Sequence, residues 1–181
     1  EYELTLRNAD GSGEEQSLTK LGSGFRYRPQ WSPDSKKIVW IDQAMKVWLY
    51  DFGTKTNQVL GQQKWAYHGG LNGFNVSWSS DSRWIAYAGD QDNRHSAIVL
   101  YDTKNNQRHE VTSGFYNDEE PVFDPDGKYL FFRTSRDLRP LYSELDDTWI
   151  YANTWRLAAV PLRKDVPSPI APRNDEEPDK D

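Results

Sequence analysis

Three histidines, at positions 68, 95 and 109, are the residues of this chain best suited to acid–base chemistry near neutral pH. A Ser/His/Asp triad assembles in space, so the order of residues along the chain does not exclude one. The sequence has no Gly-x-Ser-x-Gly elbow, the sharp turn that exposes the nucleophile of α/β hydrolases. We therefore expect the histidines to lie at the surface and predict no catalytic residue in this segment.

Two acidic stretches could in principle hold a metal or act as an acid/base pair. Asp90 to Asn93 opens like a calcium loop, but its sixth position is His95 instead of Gly and its twelfth is Tyr101 instead of Glu. We interpret it as a polar hairpin loop. Asp118 to Glu120 offers neighbouring carboxylates, for which a charged strand start is the simpler interpretation. The sequence has no cysteine, which excludes disulfides and thiol catalysis, and we predict no metal and no cofactor.

The elements that position these residues are predicted from a motif that occurs three times in the sequence. Each copy has an aromatic residue, a short turn containing aspartate, a basic residue and then an apolar strand. The anchoring aromatics are Trp31, Trp78 and Phe123, so the copies are 47 residues (31 to 78) and 45 residues (78 to 123) apart. Repeats of this length are typical of propeller blades.

The motif predicts an antiparallel hairpin because its turn residues restrict φ or bond their own backbone. The runs Ile38–Trp40, Ile85–Tyr87 and Leu130–Phe132 suit strands that are buried on both faces. We therefore predict an all-β fold, a partial β-propeller of about three to four antiparallel four-stranded blades. Trp31, Trp40, Trp48 and Trp78 are expected to pack between the blades.

The chain divides into five predicted parts. Residues 1–22 form the outer half of an incomplete blade, and three blades follow at about 23–62, 63–113 and 114–162. Residues 163–181 are a Pro-rich, acidic linker or tail, which we expect to dock on a blade or on a neighbouring molecule. A partial ring leaves strand edges open. We expect further blades of a longer chain, or a second copy in a homodimer, to cover them, and the start at Glu1 suggests an excised segment.

The innermost strand of each blade precedes the anchoring aromatic and should line the central channel. Side chains alternate along a strand, so the positions three and five residues before the aromatic should share one side. These positions provide the substrate-channel candidates Arg26, Arg28, Asn75, Asp118 and Glu120. They either contact a passing polypeptide or pair with one another at a solvated rim. Trp65 and Tyr67, in a loop between blades, are candidates for ligand contact.

Charge and hydropathy restrict the partners. The net charge is −6 and no basic stripe is present, which argues against nucleic acid. No apolar run approaches the roughly 18 residues that a membrane-spanning helix needs. The expected partner is a peptide or an unfolded polypeptide.

The repeats Trp31-Ser32-Pro33-Asp34-Ser35 and Phe123-Asp124-Pro125-Asp126-Gly127 resemble those of tricorn-type proteases and of the Tol-system periplasmic propeller protein. The C-terminal third, in the segments 131–140, 147–151 and 160–177, is similar to the larger propeller of tricorn proteases. That resemblance implies a non-catalytic segment that guides or filters peptides toward a serine peptidase core in other domains of the parent chain. It also favours the cytoplasm, with the periplasm as the alternative.

Two other functions stay open at this point. A protein-binding propeller module of the Tol type would recruit a folded partner through one face. A propeller lid of a prolyl-oligopeptidase-like hydrolase would accompany an α/β catalytic domain. The flanking sequence would distinguish the three.

Overall fold

The computed structural model describes residues 2–65, 70–137, 140–142, 149–151 and 154–171. Tyr67 and His68 lie outside the described residues, and so does the acidic tail from residue 172 onward. The ligand-contact prediction for Tyr67 and the docking prediction for the tail therefore stay predictions.

The chain begins with a short antiparallel hairpin, β1 (Thr5–Leu6) and β2 (Gln16–Ser17). Blade 1 follows as a four-stranded antiparallel sheet whose strands pair in sequence order. Its strands are β3 (Arg26–Trp31), β4 (Lys37–Asp42), β5 (Lys46–Asp51) and β6 (Thr56–Gln62).

Blade 2 has the same architecture after a one-turn helix, α1 (Gly70–Gly73). Its four antiparallel strands again pair in sequence order. They are β7 (Ser77–Trp78), β8 (Trp84–Asp90), β9 (Ser96–Asp102) and β10 (Gln107–Glu110).

Blade 3 differs at its outer side. Its sheet, as far as the chain is described, has three strands in the order β11-β12-β15, and a separate hairpin β13-β14 lies within the insertion that the sequence places after residue 135. These strands are β11 (Asp118–Phe123), β12 (Tyr129–Thr134), β13 (Pro140–Tyr142), β14 (Trp149–Tyr151) and β15 (Arg156–Pro161). The all-β, propeller-like prediction is confirmed, and four-stranded blades are seen in the first two sheets.

Apolar side chains fill the spaces between successive sheets. Val39 and Ile41 of blade 1 pack with Ile85 and Tyr87 of blade 2 in the largest cluster. A second cluster joins blade 2 to blade 3, and a third joins the N-terminal hairpin to blade 1. The middle strand β4 is buried from Ile38 to Asp42, as its continuous apolar run predicts.

One tryptophan is not where the repeat predicts it. Trp31 is 46% exposed and stacks on Phe52 with ring centroids 5.2 Å apart, whereas Trp40 is fully buried. Trp31 ends the innermost strand of blade 1, and the N-terminal hairpin beside it provides only two short strands. The expected burial of Trp31 is wrong because no inner half-blade covers it among the described residues.

The three anchor turns share one geometry. Ser35, Ser82 and Gly127 occupy equivalent positions and have φ of 58°, 60° and 66°. In the first turn Ser32 Oγ donates to Asp34 Oδ1 at 2.6 Å, and Ser32 N donates to Lys37 O at 2.9 Å. The aspartate therefore acts as a turn former, as predicted from its place in the repeat.

The innermost strands of blades 1 and 3 each carry a β-bulge. The pairing register shifts between Tyr27 and Gln30 in β3, and between Glu119 and Val122 in β11. Arg28 and Glu120 have φ of 54° and 53° within these bulges, and each precedes a proline. One extra residue in a strand interrupts the alternation of faces.

Candidate functional site

A cleft lies where the innermost strands begin. We call it the channel-end cleft; it has a volume of about 360 Å³ and opens beside the start of β11 and the segment between β6 and β7. Among the residues that line it are Trp65, Phe74, Asn75, Asp90, Glu119 and Glu120. The cleft therefore gathers three predicted residues, Trp65, Asn75 and Glu120.

Asp90 holds the blade-to-blade loop against the β8–β9 hairpin. Its Oδ2 accepts hydrogen bonds from the backbone N–H groups of Lys64 and Trp65, both at 2.8 Å. Its own N–H donates to Gln63 Oε1 at 3.0 Å. Trp65 Nε1 donates to Gln91 O at 3.0 Å, and the Arg94 guanidinium lies 4.8 Å from the centre of the indole ring. The indole is thus positioned from two sides.

The wall opposite Trp65 is acidic. Glu119 accepts a hydrogen bond from Asn117 Nδ2 at 2.6 Å, and Glu120 pairs with Arg133 at 3.0 Å. The second pair is exposed on both sides, so it is weak. Asp90, Glu119 and Glu120 line the cleft, and no Lys, Arg or His does so among the described lining residues. The lining carboxylates therefore favour cationic over anionic groups.

The other channel candidates lie elsewhere. Arg26 is buried, with 3% of its side chain exposed, and pairs with Glu3 at 3.2 Å. Although burial opposes it, hydrogen bonds from Thr19 and Leu21 and the charge of Arg26 hold the pKa of Glu3 below its usual value. Arg26 thereby joins the N-terminal segment to blade 1.

Asp118 is also buried, 1% exposed, with Arg136 at 3.6 Å as its ion-pair partner. Its Oδ1 and the hydroxyl of Thr134, its neighbour across the strand pair, have no hydrogen-bond partner. Arg28 is exposed in the bulge of β3 and does not line the cleft. The expectation that positions three and five share one side is wrong, because the bulges in β3 and β11 separate them.

The alternative in which the five channel candidates pair with one another is not observed within the described ranges. The ion pairs there are Arg26 with Glu3, Glu120 with Arg133 and Asp118 with Arg136. Asn75 is exposed at the cleft, two residues after the end of α1.

The described histidines serve local contacts. His95 Nδ1 lies 3.2 Å from Gly114 O, and the ring of His109 lies 6.0 Å from that of Trp84. In the part of the chain that the structure covers, no group of three or more His, Asp or Glu residues is arranged to hold a metal ion. None of the described helices has the length and apolar character needed to cross a membrane.

Sequence reasoning missed part of the cleft. The sequence predicted a polar hairpin loop at Asp90, although its position at the end of the second strand of a blade places it beside the start of the innermost strand. Phe74 and Leu71 were missed because α1, which brings them to the cleft, is too short for a periodic pattern.

Comparison with known proteins gives the family. The family model of the tricorn protease second beta propeller domain matches residues 1–181. The tricorn protease of Thermoplasma volcanium is 31% identical over 168 residues, which cover 88% of this chain and 15% of that protein. A tricorn protease homolog of Saccharolobus solfataricus is 26% identical over 140 residues, covering 77% of this chain and 12% of that protein. The chain thus spans less than a sixth of these relatives.

Solved structures agree in fold. The crystal structure of the tricorn protease superposes with a TM-score of 0.73 at 21% identity, over 87% of this chain and 15% of that chain. TolB from Acinetobacter baumannii gives a TM-score of 0.52 at 24% identity, over 82% of this chain and 37% of that chain. The strand order, the repeat and the full-length family match lead to one assignment: the chain belongs to the tricorn protease second β-propeller domain family.

Proposed function

We propose that this propeller segment guides or filters unfolded polypeptide toward the proteolytic core of a tricorn-like serine peptidase. The observation that carries the proposal is the channel-end cleft, which brings Trp65, Asn75 and Glu120 together where the innermost strands begin. The family assignment supports a peptidase as the parent protein. The cleft supports contact between this segment and a passing polypeptide.

The lining of the cleft suits weak contact with many sequences. Trp65, Leu71, Phe74 and Pro121 offer apolar surface to side chains. The amide of Asn75 can donate to and accept from a peptide group, so it recognises the backbone independently of side chains. The carboxylates of the acidic wall add a preference for basic residues. A guide must bind and release, and these modest interactions permit both.

Partners and location follow from the same proposal. Val122 and Leu157, on the face of blade 3 turned away from blade 2, are 54% and 75% exposed, which suits packing against a further blade of a parent chain or against a second copy. The parent chain would carry the peptidase domains. We place the protein in the cytoplasm under this proposal, whereas a Tol-type role would require the periplasm.

The test measures binding of a fluorescently labelled, permanently unfolded polypeptide to the chain by anisotropy. Asn75→Ala is expected to weaken binding about three- to tenfold, since it removes an amide that contacts the backbone. Gln107→Ala is the matched control, because Gln107 carries an amide that is exposed on β10, away from the cleft.

Three results would contradict the proposal. They are no binding by the unsubstituted chain, equal binding by Asn75→Ala, and equal weakening by Gln107→Ala. Selective binding of a folded protein in place of the unfolded polypeptide would favour the Tol-type alternative.

A further inference from the structure

A second cleft lies between blades 2 and 3, at the opposite end of the strands. We call it the junction cleft; its volume is about 460 Å³. Its floor is apolar and comes from both blades, with Trp84 and Leu100 on one side and Phe123 and Leu162 on the other. The anchor turns of the two blades form its rim. The repeat pattern does not predict a cleft at this junction, and this cleft is separate from the channel-end cleft.

The neighbouring junction explains why the cleft is open. Between blades 1 and 2, the backbone N–H of Asp34 donates to the hydroxyl of Ser82 at 3.0 Å, which ties two successive anchor turns together. The equivalent bond between blades 2 and 3 would join the N–H of Asp81 to residue 127. That residue is Gly127, which has no hydroxyl, so this tie is missing.

The space beside Gly127 is also empty. A Cβ atom added there would meet no atom within 4 Å. Ser35 and Ser82 adopt the same positive φ at the equivalent position, so the backbone does not require glycine. Gly127 therefore leaves the rim of this cleft open, whereas Ser82 at the equivalent position closes the neighbouring junction with a hydrogen bond to Asp34.

Aromatic surface is a second difference between the junctions. The repeat places Trp84 at the position that Lys37 occupies in blade 1. Trp84 is half-buried, and the Arg83 guanidinium lies 5.0 Å from its ring centre. The junction cleft thus has an aromatic wall where blade 1 has a cation.

The charges at the rim are engaged within the protein. Asp126 pairs with Lys128 at 3.3 Å, and Arg163 pairs with Asp165 at 3.2 Å. Asp81 accepts a hydrogen bond from the hydroxyl of Ser79 and another from the N–H of Arg83. The rim therefore carries carboxylates and cations side by side, which suits a neutral ligand better than an ion of either sign.

We propose that the junction cleft is a second peptide-contact site, which takes a large apolar or aromatic side chain of a polypeptide. The side chain packs against Trp84 and Phe123, and a backbone carbonyl beside it accepts from the N–H of Asp81 in place of the missing hydroxyl. The volume is in the range of pockets that hold small ligands. The inference rests on the proposed function for its polypeptide, but it concerns a different site.

The probe that tests it is N-acetyl-phenylalanine amide, which carries one aromatic side chain and capped peptide groups. Titration at millimolar concentration, followed by backbone amide NMR, is expected to shift the Asp81 and Gly127 signals. N-acetyl-glycine amide has the same peptide groups without the side chain and is expected to shift them far less. Gly127→Ser should weaken binding of the phenylalanine probe about tenfold, since the hydroxyl competes for the N–H and fills the rim.

Gly11→Ser is the matched control, because Gly11 also has positive φ and open space around a Cβ, and it lies in the N-terminal hairpin. It should bind the probe as the unsubstituted chain does. The idea is overturned if both probes shift the same signals equally, if the shifts lie elsewhere, or if Gly127→Ser binds normally. It is also overturned if Gly127→Ser abolishes self-association of the chain but not probe binding, since the occupant is then a second copy.

The experiments can refute the two proposed sites independently. Asn75→Ala should weaken binding of unfolded polypeptide and leave the capped phenylalanine unaffected. Loss of polypeptide binding with intact probe binding would therefore count against the channel-end cleft alone, and the reverse pattern against the junction cleft alone.

Discussion

The two blade junctions, built from the same repeat, are sealed to different degrees. Between blades 1 and 2, hydrogen bonds join Gln58 to the hydroxyl of Tyr101, Asp34 to Ser82, and Gln63 to the carbonyl of Ala88. Counting described residues only, eleven buried apolar side chains fill that junction, and five fill the junction between blades 2 and 3.

The second junction has ties of its own, but fewer. Phe123 N donates to Ser77 Oγ at 2.9 Å, and Ser96 N donates to Asn117 Oδ1 at 2.8 Å. Asp118 and Thr134 nevertheless keep buried oxygens without partners, and the junction cleft stays open. Stability in a repeat protein depends on each interface between neighbours. The comparison suggests that one junction carries stability while the other retains room for a ligand.

The largest expected effect comes from core truncation on each side. Tyr87→Ala should cost about 3–5 kcal/mol of unfolding free energy, because the ring is 1% exposed and packs between blades 1 and 2. Phe132→Ala, in the junction between blades 2 and 3, should cost less, about 3 kcal/mol, the low end of the range for a buried ring, because fewer buried groups surround it. Urea denaturation of both variants measures the difference. A larger loss for Phe132→Ala would reverse the comparison.

A smaller loss of unfolding free energy is expected on substitution of Asp102, a buried carboxylate at the end of β9 in blade 2. Asp102 is buried and accepts two hydrogen bonds from Arg83, at 3.0 and 2.6 Å. Hydrogen bonds from Arg83 and from the N–H of Lys104 outweigh burial and hold the pKa of Asp102 well below its usual value. Asp102→Asn should cost about 2 kcal/mol at pH 7.

The pH dependence has a definite sign. Because the pKa of Asp102 is lower in the folded state, its contribution is present at neutral pH and declines as the pH falls below about 4. The difference in urea midpoint between the variant and the unsubstituted chain should therefore be smaller at pH 3 than at pH 7, because part of the contribution is lost between these values. Asp51→Asn is the control, since Asp51 is the equivalent residue of blade 1 and, among the residues that the structure describes, accepts from the backbone N–H groups of Gly53 and Thr54 alone. An equal loss in both variants would show that the arginine pair is unimportant.

The smallest effect tests the tie between the first two anchor turns. Ser82→Ala removes the acceptor of the Asp34 N–H from a residue that is 3% exposed, and should cost about 1 kcal/mol. Ser35→Ala changes the same position of blade 1, where the side chain is exposed, and should cost less than about 0.5 kcal/mol. Thermal unfolding distinguishes the two. Equal midpoints would mean that the bond does not seal the junction.

The repeat predicted most of the fold because its turn chemistry and its apolar runs are local. The hairpins around Asp34, Asp81 and Asp126 follow from residues that lie side by side in the sequence. The N-terminal hairpin β1-β2 and the hairpin β13-β14 correspond to a strand pair and to an interruption of the repeat in the sequence.

The site was predicted less well because it depends on neighbours in space. Strand alternation grouped Arg26 with Arg28, and little in Tyr27 to Gln30 indicates that a bulge will separate them. Only the Arg-Pro pair offered a hint, since proline is common at strand irregularities. Glu3, the partner that buries Arg26, is 23 residues away. The junction cleft depends on a glycine whose meaning appears only when two junctions are compared.

The matching bulges of β3 and β11 have a consequence for how blades face one another. An extra residue shifts every later side chain in the strand by half a period, so both anchoring aromatics are turned by the same half step. Phe123 thereby reaches the blade before it, and Trp31 presents its ring to the corresponding side. The Arg28-Pro29 and Glu120-Pro121 pairs therefore mark the two strands in which a bulge sets the face of the anchoring aromatic.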